Sequence, residues 1–272
     1  MTQPDLSQSQ AAQRMLFAQY RSAVASGLPL PDFREAGFRL FSQTDEDGIL
    51  LMLFAAIGMT SRFCVDMAFH SPIGANTTNL ICNWGWDGFM VEGDPAGVER
   101  SREWFGEHPD TKIFPPKIVH SWITAENVNQ LLDGNGVRGE VDLLSLDVDG
   151  VDFWLWNALS AISPRVIVLE FMNIWGADAS VTVPYRPDFN RHNYHADFFG
   201  ASLPAFVKMG QAKGYRLVGC NRLGYNAFFL RNDIAPQLFP EVTAASCLSL
   251  PYPQHARATR LAAVSHFPWQ QV

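Results

Sequence analysis

The stretch YRLVGCNRLGYNAFFL, residues 215–230, holds two apolar runs, residues 215–220 and 227–230, joined by a short polar connection. Parallel neighbours need a crossover of a dozen or more residues, so this connection predicts an antiparallel hairpin. Five earlier runs are mostly continuous in Val, Ile, Leu and Phe, which is typical of strands buried on both faces. Those runs cover residues 63–67, 89–92, 118–122, 141–147 and 166–171.

Helical patterns alternate with these runs. They cover residues 77–83, 96–107, 124–132, 152–159 and 200–213. Strand and helix in alternation predict a doubly wound sheet whose crossovers are right-handed. We therefore expect an α/β fold with a seven-stranded, mostly parallel sheet and an antiparallel last strand.

Three segments lie outside this rhythm. Residues 1–58 carry helical patterns at 8–26 and 45–57, and we expect them to form an N-terminal helical cap on a core of residues 59–231. Residues 173–199 are a polar insert within that core, and loops of this length in compact domains are usually functional, so we interpret it as a lid or substrate-binding insert. Residues 232–272 would be a C-terminal extension with a short helix at 255–264.

Composition excludes several function classes. The 272 residues include 27 acidic and 20 basic side chains, a net charge of −7, which disfavours binding to a nucleic-acid backbone. No apolar run approaches the roughly 20 residues of a membrane-spanning helix, and the first residues lack a signal-peptide pattern, so we expect a cytoplasmic protein. The four cysteines form no CxxC pair and should be buried, reduced thiols. Assembly into a homo-oligomer is an open alternative to a monomer.

Ligands of open α/β sheets bind beyond the carboxyl ends of the strands. Glu92 follows Asp66 by one strand–helix–strand unit, and a carboxylate at the end of a second strand can accept hydrogen bonds from both ribose hydroxyls of a nucleoside. A surface carboxylate at the start of a loop is the alternative. Trp122, after the third strand, could stack on adenine or be an ordinary core residue.

The string LSLDVDGVD, residues 144–152, places carboxylates at the end of the fourth strand. Asp147, Asp149 and Glu170 are oxygen ligands of the kind that Mg²⁺ prefers. Alternatively, Asp149 or Asp152 caps the following helix. Candidate catalytic residues are Asp147 and two histidines of the insert, His192 and His195, since histidine titrates near neutral pH; histidines in long loops are otherwise often idle. Candidate substrate contacts are Asn173, Tyr185 and Tyr194.

An ordered series of motifs resembles the FkbM-like family of S-adenosylmethionine-dependent methyltransferases, which have the class I, Rossmann-like fold. The motifs are FSQTDEDGIL (41–50), NTTNLICNWGWDGFMVEGD (76–94), ITAENVNQLL (123–132), VDLLSLDVDGVDFWLWNAL (141–159), PRVIVLEFMN (164–173) and the stretch 200–231. The resemblance implies binding of S-adenosylmethionine, with Asp66 near its methionine end and Glu92 on its ribose. It also implies that Asp147, Asp149 and Glu170 surround the acceptor, with Mg²⁺ as a further expectation. The candidate cofactor-binding residues are Asp66, Ala68, Asn76, Glu92, Gly93, Ser121, Trp122 and Asp147.

One departure from the family pattern follows the first strand. The family has a glycine-rich turn of the form E.G..DG, and this chain reads DMAFHSPIGANT, with Ala68 at the first glycine position. Glycine suits a backbone that approaches a ligand closely or takes a positive φ angle. Gly74 could still serve the turn.

We therefore expect a methyltransferase of secondary metabolism or glycan decoration that acts on a hydroxyl, or alternatively an amine, of a sugar or other polar small molecule. Two alternatives stay open. One is a methyltransferase-like binding module that lost catalysis through Ala68 and its neighbours. The other is a metal-dependent sugar-nucleotide enzyme that uses Asp147 and Asp149 as a DxD motif.

Overall fold

A computed structural model of the chain describes residues 7–272, so the first six residues of the predicted N-terminal cap lie outside the described part. The strands are β1 (Phe63–Met67), β2 (Asp87–Glu92), β3 (Lys117–His120), β4 (Gly139–Leu146), β5 (Ile162–Glu170), β6 (Val181–Thr182), β7 (Tyr215–Cys220), β8 (Asn226–Arg231) and β9 (Gln270–Gln271). The helices are α1 (Ser7–Ala25), α2 (Phe33–Ala36), α3 (Glu46–Ile57), α4 (Thr78–Trp84), α5 (Pro95–Glu107), α6 (Val128–Gly134), α7 (Asp152–Ala158), α8 (Leu203–Ala212), α9 (Ala244–Leu248) and α10 (Pro251–Val264).

Seven strands form one sheet in the order β3-β2-β1-β4-β5-β8-β7. Strands β1 to β5 pair in parallel, whereas β8 runs antiparallel to both of its neighbours, β5 and β7. The hairpin predicted from residues 215–230 therefore exists, and its second strand inserts between β5 and β7. This is the class I methyltransferase fold, which confirms the predicted fold class.

Helices cover both faces of the sheet. On one face α3 is buried along almost its whole length, and Phe54 packs in one cluster with Leu143 and Val166 of the sheet. On the other face Trp156 of α7 and Phe206 of α8 belong to the second cluster. Because side chains alternate across a strand, the continuous apolar runs supply both clusters at once. The N-terminal helices therefore share the core of the sheet.

Some element boundaries differ from the predicted ones. The third strand ends at His120, so Ser121 and Trp122 lie in the loop after it. Helix α6 begins at Val128, although the pattern placed its start at residue 124. Thr124 N–H donates to Oδ1 of Asn127 at 2.9 Å, and Asn127 N–H donates to Oγ1 of Thr124 at 3.3 Å. Such side-chain bonds satisfy the backbone in a turn and delay the helix.

The insert and the chain's last residues are joined, which the sequence did not indicate. Strand β6 of the insert pairs with β9, and Ser180 Oγ donates to the main-chain oxygen of Val272 at 2.7 Å. Phe198 of the insert stacks on Phe267 with ring centroids 4.8 Å apart, and Trp269 packs edge-on against it. Residues of the C-terminal extension expected at 232–272 thus pack against the insert.

Two further sequence expectations concern cysteines and membranes. All four cysteines, at positions 64, 82, 220 and 247, are buried free thiols, as predicted. Within residues 7–272, none of the helices combines the length and the apolar character that crossing a bilayer requires.

Candidate active site

A cavity of about 600 Å³ opens at the carboxyl ends of β1, β2 and β4. All eight residues predicted to bind the cofactor line it: Asp66, Ala68, Asn76, Glu92, Gly93, Ser121, Trp122 and Asp147. The lining also includes residues that the sequence reasoning did not assign, notably Gln43, His70, Gly74, Phe189, Asn190 and Arg191. The first group lies at strand ends or in the loops that follow them, as His70 and Gly74 also do. Gln43, by contrast, precedes α3, and Phe189, Asn190 and Arg191 belong to the insert.

The turn after β1 takes an unusual backbone path. Ala68 has φ of 64° and His70 has φ of 58°, both in the left-handed region that favours glycine. The N–H of Ala68 donates to the carbonyl of Val91 at 2.8 Å, which ties the turn to β2. The chain thus keeps the backbone conformation of a glycine turn while carrying an alanine. Gly74, with φ of 117°, supplies a further turn before α4.

We expect Ala68→Gly to raise the free energy of unfolding by about 0.5–1 kcal/mol. A left-handed alanine costs about 1–2 kcal/mol, and the greater freedom of glycine in the unfolded chain offsets part of the gain. Urea denaturation measures the difference. Ala125→Gly, at a loop position without a positive φ angle, is the control and should lose stability. Equal losses in both variants would show that the turn at Ala68 carries no strain.

Glu92, at the end of β2, is 8% exposed and holds the neighbouring loops. Its Oε2 accepts from the N–H of His70 and its Oε1 from the N–H of Asp94, each at 2.8 Å. A carboxylate has about four acceptor positions, so two remain for hydroxyl groups in the cavity. The alternative of a loose surface carboxylate is wrong, because the side chain is buried and oriented at both oxygens.

Trp122 forms part of the cavity wall and is 53% exposed, so it is not a core residue. Its Nε1 donates to the carbonyl of Pro187 at 2.8 Å, which fixes the indole against the insert. A Cβ at Gly93 would lie 3.1 Å from Cε3 of Trp122, so glycine permits the close packing. A fixed, half-exposed indole offers a planar surface to an aromatic base.

Asp66 is buried at the floor of the cavity. Its Oδ2 accepts from Oγ1 of Thr77 at 2.6 Å, and burial raises the pKa of Asp66 to about 6. Asn76, in the loop after β1, donates from Nδ2 to Oγ of Ser145 at 3.2 Å. These bonds join the end of that loop to β1 and to β4.

Three carboxylates predicted as metal ligands lie together. One carboxylate oxygen from each of Asp147, Asp149 and Glu170 lies within 4.8 Å of the others. Burial, followed by the charges of Asp152 and Asp149, raises the pKa of Asp147, and burial with the charge of Asp147 raises that of Glu170. Such a cluster favours a shared proton or a bound cation, since either reduces the repulsion. An all-oxygen donor set fits Mg²⁺.

Asp149 and Asp152 play different parts in the loop after β4. Asp149 has φ of 54° and pairs with Nη1 of Arg191 at 2.5 Å. Asp152 accepts from the N–H of Val148 at 2.7 Å and from that of Gly150 at 3.0 Å. Asp152 therefore fixes the preceding loop, and the alternative in which Asp152 caps the helix is wrong because its oxygens accept from loop amides.

The insert delivers only one of the two predicted histidines to the cavity. His192 lines the cavity, and the main-chain N–H of His192 donates to Oδ1 of Asn190 at 2.9 Å. His195 lies outside the lining, where its Nδ1 accepts from the N–H of Asp197 at 3.0 Å. The His195 ring lies near Phe267 of the C-terminal segment, with centroids 6.3 Å apart. The structure therefore places His195 in the packing between insert and C-terminal segment.

The three predicted substrate-contact residues have other partners. In the part of the chain that the structure describes, residues 7–272, none of the three lines the cavity. Asn173 is buried and donates from Nδ2 to the carbonyl of Gly224 at 2.9 Å. Tyr185 donates from Oη to Glu126 at 2.5 Å. Tyr194 stacks on Phe189 with ring centroids 5.5 Å apart. The aromatic residue that reaches the cavity from the insert is Phe189, for which the sequence carried no distinguishing signal.

No family model matches the sequence, and no curated protein matches it. Among solved structures, the O-methyltransferase from Bacillus cereus in complex with S-adenosylhomocysteine shares 13% identity over 80% of this chain and 89% of its own, with a TM-score of 0.44. The CcbJ methyltransferase from Streptomyces caelestis shares 12% identity over 75% of this chain and 91% of its own, with a TM-score of 0.43.

A third similar structure is the glycopeptide N-methyltransferase MtfA complexed with S-adenosyl-L-homocysteine. It shares 10% identity over 72% of this chain and 92% of its own, with a TM-score of 0.43. These structural neighbours are therefore methyltransferases, and they include both O- and N-methyltransferases.

Proposed function

We propose that this protein is an S-adenosylmethionine-dependent methyltransferase that acts on a hydroxyl group of a sugar or another polar small molecule. The observation that carries the proposal is the shared cavity of Glu92, Trp122 and Asp147. One cavity at the carboxyl ends of the strands is lined by all three side chains. Glu92 would accept hydrogen bonds from ribose hydroxyls, Trp122 would offer a planar surface to adenine, and Asp147 would face the substrate that receives the methyl group. We also propose that the protein belongs to the FkbM-like family, an assignment that only the sequence motifs support.

Each group in the cavity has a proposed role. Glu92 would accept hydrogen bonds from the ribose hydroxyls through its free acceptor positions, and Trp122 would stack on the adenine. When bound, S-adenosylmethionine supplies an electrophilic methyl group on a positively charged sulfur. The floor carboxylates, Asp66 and Asp147, suit the cationic part of such a ligand.

The acceptor would lie between Asp147 and the insert. Whichever of Asp147 and Glu170 is deprotonated can accept the proton of the acceptor hydroxyl, and His192 faces the same cavity as an alternative base. Alternatively, Asp147, Asp149 and Glu170 would hold Mg²⁺, which lowers the pKa of a hydroxyl that it binds. Phe189 would exclude water beside the reacting groups. Positioning of this kind supplies much of the rate enhancement in a two-substrate transfer.

We expect the purified protein to bind S-adenosylhomocysteine with a Kd in the micromolar range, measured by isothermal titration calorimetry. UDP with Mn²⁺, titrated in parallel, should give no heat of binding. Preference for UDP would favour the sugar-nucleotide alternative, in which Asp147 and Asp149 act as a DxD motif. Absence of S-adenosylhomocysteine binding at millimolar concentration would contradict the proposed function and favour a binding module that has lost its cofactor site.

A further inference from the structure

The segment FSQTDEDGIL, residues 41–50, has no part in the function proposed above. It leads into α3 and lies beside the cavity, next to the turn at Gly74. The N–H of Gly74 donates to the carbonyl of Phe41 at 2.6 Å, and an isolated β-bridge joins Ser42 to Gly74. The segment therefore supports the loop after β1, which forms part of the cavity wall.

Most polar side chains of this segment are engaged within the protein. Oδ2 of Asp47 accepts from three consecutive amides, residues 40–42, at 2.7, 2.7 and 2.9 Å. Oε1 of Glu46 accepts from Nδ2 of Asn221 at 2.8 Å and from Nδ2 of Asn226 at 2.9 Å. Buried carboxylates with this many donors fix a loop firmly. The acidic part of the motif is therefore structural.

Gln43 differs from its neighbours. It is exposed, it lines the cavity, and its carboxamide makes no hydrogen bond within residues 7–272. A Cβ at Gly74 would lie 3.6 Å from Cγ of Gln43, so the side chain passes close to the turn. A rigid loop thus presents one unpaired carboxamide to the cavity, with two N–H donors and one acceptor oxygen.

We infer that Gln43 is a further cofactor-binding residue, an inference that rests on the cofactor proposed above. Its carboxamide N–H donates to the carboxylate of the cofactor's amino-acid moiety. If Trp122 and Glu92 hold the adenine and the ribose, the amino-acid moiety would contact another part of the lining, to which Gly74 and Gln43 belong. The floor acids, Asp66 and Asp147, suit the ammonium group of that moiety, so its carboxylate needs a hydrogen-bond donor elsewhere in the lining. A neutral donor beside Gly74 meets the need of that carboxylate.

Binding of two ligands distinguishes the contact with Gln43 from the other contacts of the site. S-adenosylhomocysteine carries the amino-acid moiety, whereas 5′-methylthioadenosine keeps the adenine, the ribose and the sulfur and lacks that moiety. Gln43→Ala is expected to weaken S-adenosylhomocysteine binding about tenfold, the size of one hydrogen bond to a charged group, and to leave 5′-methylthioadenosine binding unchanged. Gln43→Glu should weaken the former at least as much, because it places two carboxylates together.

Gln237→Ala is the matched control, since Gln237 is an exposed glutamine that lines a different cavity. It should change neither Kd, as measured by calorimetry. If Gln43→Ala leaves S-adenosylhomocysteine binding intact, or weakens both ligands equally, the role of Gln43 is wrong while the proposed function stands. If the wild-type protein binds neither ligand, the proposed function itself fails.

Discussion

Replacing Glu92 with alanine is expected to weaken S-adenosylhomocysteine binding at least about 100-fold. Two hydrogen bonds from ribose hydroxyls to a carboxylate would be lost, and bonds to charged groups contribute about 1.5–3 kcal/mol each. Even the lower value for both bonds, about 3 kcal/mol, corresponds to a factor above 100. Calorimetry measures the loss directly, and it requires no knowledge of the acceptor.

The controls for Glu92 address its second role. Because its oxygens also hold the amides of His70 and Asp94, the alanine variant needs a circular dichroism melt to show that it is folded. Glu92→Gln keeps the shape and one acceptor oxygen, so it should bind more tightly than the alanine variant and less tightly than the wild type. Glu107→Ala, an exposed glutamate at the end of α5, should bind like the wild type. Full binding by a folded Glu92→Ala protein would remove the ribose assignment.

Replacing Asp147 with asparagine is expected to stabilise the protein at pH 8 by about 1–2 kcal/mol. Burial and neighbouring acids raise the pKa of Asp147, so the folded chain retains a proton that the unfolded chain releases above about pH 4. Stability therefore falls as the pH rises through the interval between the two pKa values, and a neutral amide removes that loss. Urea denaturation from pH 4 to pH 8 should show the two proteins diverging as pH increases.

Asp178→Asn provides the comparison for this pH series, because Asp178 is exposed on the insert and lies outside the acidic cluster. Its stability should follow that of the wild type at every pH. A destabilised Asp147→Asn protein at pH 8 would contradict the account of the cluster. In a thermal melt at pH 8, Mg²⁺ should raise the melting temperature of the wild type and not that of Asp147→Asn. If Mg²⁺ leaves the melting temperature of the wild type unchanged, the shared proton is the only remaining proposal for the acidic cluster.

The stability cost of the acidic cluster is itself informative. Proteins tolerate groups that oppose folding chiefly where function needs them, so a stabilising substitution at Asp147 would fit a functional site. Burial also raises the pKa of Asp152, the first residue of α7, but the oxygens of Asp152 accept from the amides of Val148 and Gly150. Only one of these two acids serves the backbone around it.

The fold could be predicted from the sequence because its pattern is local. Continuous apolar runs mark doubly buried strands, and the short connection before β8 leaves only a hairpin. The pairing of β6 with β9 could not be predicted, because two-residue strands far apart in the chain carry no periodicity. The start of α6 was misplaced because a side-chain turn between Thr124 and Asn127 replaces its first residues.

The candidate site divides in the same way. Residues at strand ends, such as Glu92 and Asp147, were predictable because topology alone brings parallel strand ends to one edge. Residues of the insert were not predictable in this way, because Phe189 lines the cavity whereas the ring of His195 lies near Phe267 of the C-terminal segment. Gln43 was hidden for a different reason, because its neighbours in the motif are structural and it alone faces the cavity.

The strand order has a consequence for how the chain is made. Strand β5 is buried on both faces, yet the strand that covers its outer edge, β8, comes last in the sheet and must enter between β5 and β7. During synthesis the nascent chain therefore carries an open, apolar strand edge until residue 231 has left the ribosome. Such edges promote aggregation, so the late arrival of β8 makes this edge the point at which chaperones would be needed.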